Sequence, residues 1–230
     1  MSNHSILEIL GPVMIGPSSS HTAGAVRLGQ LARGINGKPF SRVLVGLHGS
    51  FAKTYRGHGT DKALIAGLMG FAPDDERIRD SLAIAKTKGL AYSFTEIELE
   101  DMHPNTARIV FYNDDHSSLE VTGSSIGGGQ VLIQKIDETP LSFTGSYPTL
   151  IIDHIDRRGI ISEITTLLAR YAINIATMHV SRTQKNKNAI LMIEADQEFP
   201  EVLKKDLNEV RDIHAVRILN LKEAPHVSQC

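Results

Sequence analysis

The chain has one cysteine, Cys230, and no tryptophan among its 230 residues. A single cysteine excludes a disulfide within the chain and any zinc or iron–sulfur site built wholly from cysteines, because those sites need several thiolates. Cys230 can supply at most one ligand to a shared site, and we expect it instead to lie in an exposed tail. Aromatic residues make up only 5%, which argues against base-stacking platforms for nucleic acid.

The chain also lacks a large excess of one charge, and it lacks long apolar runs. The net charge is −2 and there is no basic run, so nucleic acid is not an expected partner. No apolar run approaches membrane-spanning length, and the first residues lack the charged-then-apolar order of a signal peptide. We therefore expect a cytoplasmic protein that does not enter a membrane, with enough residues for two modest domains.

The most informative stretch that is present is Gly-Pro-Ser-Ser-Ser-His-Thr at residues 16–22. It leads into a predicted helix, Ala23 to Arg33. Free backbone N–H groups and the positive end of a helix dipole suit a small anion such as a carboxylate. The serine hydroxyls either bind such a ligand or merely cap the helix, and His21 adds a group that titrates near neutrality.

Three further stretches combine small residues with polar ones. His58 lies in a predicted loop between Gly57 and Gly59, which leave its imidazole accessible, although a lone histidine is commonly structural. The sequence His-Pro-Asn-Thr at 103–106 is either an ordinary turn or a place where the Asn105 amide binds a ligand. The glycine-rich stretch 123–129 lacks the spacing of a phosphate loop and is either an anion nest or a bulge.

We expect no metal ion bound wholly by this chain. The histidines that lie in these loops do not have the spacing that puts two imidazoles on one helical face, and no carboxylate shares their spacing. The histidines considered are His21, His48, His58 and His103.

The second half of the chain has regular patterning after a polar, proline- and glycine-containing stretch. It predicts strands, helices and a hairpin in the order βαββαβ, which is the ferredoxin-like sandwich of two helices on one antiparallel sheet. We predict a first domain over 1–140, a linker over 141–147, a second domain over 148–222 and a flexible tail over 223–230.

The segment from Tyr147 to Leu221 resembles an ACT domain. The similarity lies in Asp-His-Ile-Asp at 153–156, the turn that ends at Gly159, and Tyr-Ala-Ile-Asn-Ile at 171–175. The resemblance implies that the turn forms a regulatory ligand and dimer interface. The residues concerned are Asp156, Arg158, Gly159 and Ile160. Amino-acid sensing and pure dimerisation both remain open, because a fold does not imply a function.

Over nearly its whole length the chain resembles the beta chains of bacterial iron–sulfur-dependent L-serine dehydratases. The motif at 16–22 is the most specific, followed by Gly-His-Gly-Thr-Asp-Lys at 57–62. The resemblance implies an α+β protein, with an N-terminal α/β domain related to the allosteric substrate-binding domain of some phosphoglycerate dehydrogenases, followed by the ACT domain. It also implies deamination of L-serine to pyruvate and ammonia, as an L-serine ammonia-lyase.

The same resemblance implies that the active enzyme is formed by two different chains. The [4Fe-4S] cluster is expected in a partner alpha subunit, so this chain is not expected to be active alone, and it is expected in a homodimer or a heterotetramer. It implies His58 and His21 as catalytic residues. The expected contacts of L-serine are Ser18, Ser19, Ser20, Thr22, Gly57, Gly59, Thr60 and Asn105. The alternative is a stand-alone amino-acid-binding regulatory dimer without catalysis.

Overall fold

The computed structural model describes residues 18–220 and divides the chain into two compact units, 1–137 and 138–230. Gly16, Pro17, Cys230 and the predicted tail over 223–230 lie outside the described residues. Within the described part, no helix combines the length and apolar character that crossing a bilayer requires.

The first sheet has the strand order β2-β1-β3-β4-β5-β6. Strands β1 and β2 are parallel, whereas β1, β3, β4 and β5 pair antiparallel in succession. The elements, in chain order, are a π-helical turn Ser19–Ala23 (the π-turn), α1 Gly24–Asn36, β1 Phe40–His48, α2 Gly49–His58, α3 Thr60–Leu68, a 3₁₀ turn Glu76–Asp80, α4 Ser81–Thr87, β2 Ala91–Ile97, β3 Thr106–Asn113, β4 Ser118–Gly127, β5 Gln130–Ile136 and β6 Thr139–Phe143.

The core of this unit lies between one face of the sheet and the helices that pack on it. Alternate residues of β1 and β3 are fully or almost fully buried, as the period of a strand requires. Helices α1 and α3 pack closely because glycines replace side chains where they meet. A Cβ atom on Gly67 would lie 2.1 Å from the carbonyl oxygen of Val26, and one on Gly29 would lie 2.5 Å from that of Leu64.

The second sheet has the order β10-β7-β9-β8, and each neighbouring pair is antiparallel. Apolar residues of the strands pack against two amphipathic helices, with Leu150, Ile152, Ile164, Leu191 and Leu203 fully buried. The predicted α+β class and the βαββαβ order are confirmed. The elements are β7 Thr149–Ile155, α5 Ile160–Arg170, β8 Ile175–Arg182, β9 Asn188–Ala195, α6 Glu201–Asn208 and β10 Ile213–Leu219.

The structure differs from the sequence prediction in three places. Helical structure begins at Ser19 rather than Ala23, because a π-turn precedes α1. The chain over 49–58 is helical, which places His58 in a helix rather than in a loop. Residues 141–143 of the predicted linker belong to β6, because they alternate buried and exposed side chains at the end of the first sheet.

Candidate functional site

The π-turn is fixed by one of the three serines. Ser18 precedes the turn in an extended conformation, and its Oγ accepts the backbone N–H of His21 at 3.2 Å. The Thr22 N–H donates to the Ser18 carbonyl oxygen at 2.9 Å. Ser18 therefore caps the helix start, as one of the two sequence-based interpretations proposes. Ser19 and Ser20 follow it in the first positions of the turn and are half-buried.

The imidazole of His21 lies between two hydroxyl groups. Its Nδ1 is 3.3 Å from Ser18 Oγ and its Nε2 is 3.2 Å from Ser50 Oγ. Each hydroxyl can donate or accept, so either neutral tautomer of His21 is satisfied. The edge-on ring of Phe51, with its centroid 5.4 Å away, closes one side. Ser50 was not predicted; its only sequence signal is its place shortly after the apolar run at 43–47.

His58 is the last residue of α2, and the structure brings it against His21. The two ring centroids are 4.7 Å apart and the ring planes meet at 80°. Gly59 ends the helix in the left-handed region with a φ of 70°, and its N–H donates to the Tyr55 carbonyl oxygen. The loop interpretation of His58 is therefore wrong, because a helix carries it to this place. The His58 side chain is nevertheless exposed.

The two histidines differ in their electrostatic surroundings. Burial lowers the pKa of His21, and the nearby His58 lowers that pKa further, because two adjacent imidazolium charges repel each other. His21 is therefore neutral at neutral pH.

The loop over residues 103–105 lies beside the same helix start. The backbone N–H of Phe51 donates to the Pro104 carbonyl oxygen at 3.3 Å. On the other side, the Ser125 N–H donates to the Asn105 carbonyl oxygen at 2.9 Å. The loop thus joins the start of α2 to the end of β4. The structure therefore brings three of the sequence motifs to one place around the π-turn.

Four buried polar atoms in this part of the structure have no hydrogen-bond partner among residues 18–220. They are Thr22 Oγ1, Thr60 Oγ1, Asn105 Oδ1 and Ser125 Oγ. Helix α3, which begins at Thr60, packs on the π-turn, and a Cβ atom on Gly24 would lie 2.0 Å from Ser125 Oγ. A buried polar group left unpaired costs about 1–3 kcal/mol, so such groups are typical of places that a ligand or water completes.

The described residues do not fit a metal centre. Between residues 18 and 220 no three His, Cys, Asp or Glu side chains lie close enough to hold a metal ion. The same range contains no cysteine, so the residues there do not fit a [4Fe-4S] cluster.

The predicted regulatory residues lie at one turn of the second unit. Asp156 is already paired, since its carboxylate accepts from the Asn186 N–H and the Arg182 guanidinium, and these bonds lower its pKa. Gly159 adopts a φ of 87°, and Arg158 beside it is exposed. Ile160 is buried and begins α5.

An unpredicted residue, Arg157, holds this turn in place. Its guanidinium donates to both carboxylate oxygens of Glu163, at 2.7 and 2.8 Å, and to Asp212 at 2.8 Å. The turn is therefore tied both to the first residues of α5 and to the chain that enters β10. The alternating arginines and acids around Gly159 gave no sequence signal for which of them would pair.

Comparison with known proteins identifies both halves of the chain. The profile of the family described as serine dehydratase beta chain matches residues 5–136, and that of the ACT domain matches residues 149–213. A probable L-serine dehydratase beta chain of Bacillus subtilis is 41% identical over 213 residues, which cover 93% of this chain and 96% of that protein.

Two further relatives extend this comparison. The L-serine dehydratase beta chain of Peptoniphilus asaccharolyticus is 42% identical over 205 residues, covering 89% of this chain and 92% of that protein. A D-3-phosphoglycerate dehydrogenase of Bacillus subtilis is 29% identical over 202 residues, covering 86% of this chain and 37% of that enzyme. The family resemblance found in the motifs is confirmed. The chain belongs to the serine dehydratase beta chain family and carries an ACT domain in its second half.

Proposed function

We propose that this chain is the beta subunit of a cytoplasmic two-chain L-serine ammonia-lyase, which converts L-serine to pyruvate and ammonia. Its partner is an alpha subunit that holds a [4Fe-4S] cluster. The observation that carries the proposal is the contact between His21 and His58, whose ring centroids are 4.7 Å apart, with Ser50 Oγ 3.2 Å from His21 Nε2. This arrangement gives the beta chain a proton acceptor and polar groups for a small amino acid.

His58 is the group to which we assign removal of the α-proton of L-serine. It is exposed at the end of α2, so a substrate held partly by another chain can reach it. The neutral His21 beside it does not oppose the positive charge that His58 gains when it takes the proton. His21 is also held by Ser18 and Ser50, and it therefore supports the position of His58.

The polar groups around the histidines are assigned to substrate binding. Ser19 and Ser20 at the helix start suit the α-carboxylate of L-serine, where backbone N–H groups and the helix dipole favour an anion. The unpartnered Oδ1 of Asn105 is an acceptor and suits the α-ammonium group. The remaining predicted contacts are Ser18, which precedes the π-turn, Thr22 within it, Gly57 in α2, Gly59 between α2 and α3, and Thr60 at the start of α3.

The ACT unit is assigned to assembly and regulation. We expect it to pair with a second copy, which gives a homodimer of this chain or, with the alpha subunit, a heterotetramer. Amino-acid sensing at the turn around Gly159 and dimerisation without a ligand are the two alternatives for this unit, and the positive φ of Gly159 permits close approach of a ligand carboxylate.

The test is anaerobic co-expression of this chain with a neighbouring cysteine-bearing reading frame, followed by measurement of pyruvate formed from L-serine. The proposal requires that pyruvate formation depend on both chains. Full activity of the partner alone, with this chain changing only its response to serine, would instead support the stand-alone regulatory dimer. A partner carrying Cys→Ser changes in its cysteine cluster is the matched inactive control.

A further inference from the structure

A chain of polar side chains crosses three strands below the 103–105 loop. Thr106 Oγ1 donates to the His103 carbonyl oxygen at 2.6 Å and lies 2.6 Å from Ser124 Oγ. Ser124 Oγ is in turn 2.5 Å from Gln134 Oε1. Thr106 and Ser124 are fully buried, so water does not compete for these contacts. The chain connects β5 through β4 and β3 to the loop.

The number of hydroxyl protons fixes the direction of the hydrogen bonds that link these side chains. Each hydroxyl carries one proton, and Thr106 donates its own to His103, so the proton between Thr106 and Ser124 comes from Ser124. Ser124 then has no proton left for Gln134. The Gln134 amide must therefore donate to Ser124 through Nε2, which a half-turn of the amide about its last torsion places where Oε1 lies.

At its Thr106 end, this series of hydrogen bonds holds the backbone next to Asn105 in place. Thr106 fixes the His103 carbonyl group, and the Asn105 N–H donates to His103 Nδ1 at 3.1 Å. The Asn105 carbonyl oxygen is held separately by the Ser125 N–H at 2.9 Å. With the backbone held on both sides, the side chain of Asn105 has only two torsions left, and its buried Oδ1 has no hydrogen-bond partner in the described range 18–220.

We propose that Thr106, Ser124 and Gln134 are positioning residues for L-serine, which keep Asn105 Oδ1 where it receives the α-ammonium group. This inference rests on the proposed function, because it takes L-serine as the ligand of Asn105. The three residues do not touch substrate. Since the ammonium contact is made in both the bound substrate and the transition state, its loss raises KM and leaves kcat nearly unchanged.

The experiment compares Thr106→Val with Thr106→Ser in the complex of this chain with its cluster-bearing partner. Valine has the shape of threonine without the hydroxyl, whereas serine keeps the hydroxyl and loses a methyl group. We expect Thr106→Val to raise KM for L-serine about tenfold, the effect of one weakened hydrogen bond to a charged group, with kcat within about twofold. Thr106→Ser should keep the wild-type KM.

Gln134→Glu tests the direction of these hydrogen bonds and leaves no cavity, because the two side chains have nearly the same shape. A carboxylate cannot donate, so Ser124 would turn its proton towards Glu and the contact with Thr106 would lose its proton. At pH values where the new carboxylate is ionised, we expect the same rise in KM as for Thr106→Val. Wild-type KM in both Thr106→Val and Gln134→Glu, or an equal rise in Thr106→Ser, would overturn the proposal.

Hydrogen exchange in the free full-length chain separates this inference from the proposed function. Thr106→Val should speed exchange of the Ser125 amide, which donates to Asn105, and Thr106→Ser should not. Unchanged exchange in Thr106→Val would overturn the positioning role even if KM changed. An inactive wild-type complex would instead contradict the proposed function. The exchange result would still decide whether the hydrogen bonds of Thr106 hold the 103–105 loop.

Discussion

The imidazole rings of His21 and His58 meet edge to face, with centroids 4.7 Å apart and planes at 80°. They come from different elements, since His21 belongs to the π-turn and His58 ends α2. At this distance a charge on one ring disfavours a charge on the other. Burial and the neighbouring His58 both lower the pKa of His21.

This coupling predicts that the pKa of His21 depends on His58. Replacing His58 by Gln removes the neighbouring charge but leaves His21 half-buried, so the His21 pKa should rise towards 6.5 without reaching it. NMR titration of the His21 ring protons in the full-length chain measures the shift. His179→Gln, at an exposed position in the second unit, is the control and should leave the His21 titration unchanged. The same curve in wild type and His58→Gln would contradict the coupling.

The lowered pKa of His21 also predicts how stability varies with pH. Because the folded-state pKa is lower than the unfolded value of 6.5, the unfolded chain binds more protons between the two values. The free energy of unfolding should therefore fall as the pH decreases below 6.5, and this part of the loss should be absent in His21→Gln. Urea unfolding of both proteins between about pH 5 and pH 8 measures it. A constant difference over that range would count against a neutral His21.

The two glycines beside His58 should respond oppositely to alanine. Gly57 is helical and no atom of the described residues lies within 4 Å of an added Cβ, so Gly57→Ala should stabilise the fold by up to about 1 kcal/mol. Gly59 has a φ of 70°, so Gly59→Ala should destabilise it by about 1 kcal/mol. Chemical denaturation compares the pair. Equal destabilisation by both would mean that Gly57 is also required by the backbone.

In the second unit, Arg157 and Arg158 are adjacent but should differ in their contribution to stability. Arg157 contacts Glu163 and Asp212, and both bonds raise its pKa, whereas Arg158 is exposed. Arg157→Ala should lower the Tm of the chain more than Arg158→Ala, and high salt should narrow the difference. Differential scanning calorimetry at low and high salt measures both effects. Equal Tm values for the two variants would show that the network does not hold the turn.

The second half of the fold was predictable because its strands alternate or form short apolar runs between turn residues. The predicted βαββαβ order of this half matches the structure. Helix α2 was missed because it has few apolar residues, begins and ends beside glycine, and owes its place to packing on the sheet. The sequence therefore indicated that His58 is accessible but not that a helix carries it to His21.

The sequence predicts which types of residue form the candidate site but not which residues they contact. The serines, histidines and Asn105 stand in motifs of small and polar residues, and these were found from sequence. Ser50 and Ser125 were missed because their roles depend on β-strand register and on the approach of a distant loop. Nothing in local sequence could indicate the π-turn, since its extra residue per turn is imposed by the contacts around it.

The most direct test of the account is the turnover number of His58→Ala in the reconstituted two-chain complex. If His58 removes the α-proton, kcat for L-serine should fall by about 10² or more, the usual effect of losing a positioned base. His179→Ala, made in the same complex, should keep wild-type kcat. Wild-type kcat in His58→Ala would contradict the account and move the contact between His21 and His58 from catalysis to structure or sensing.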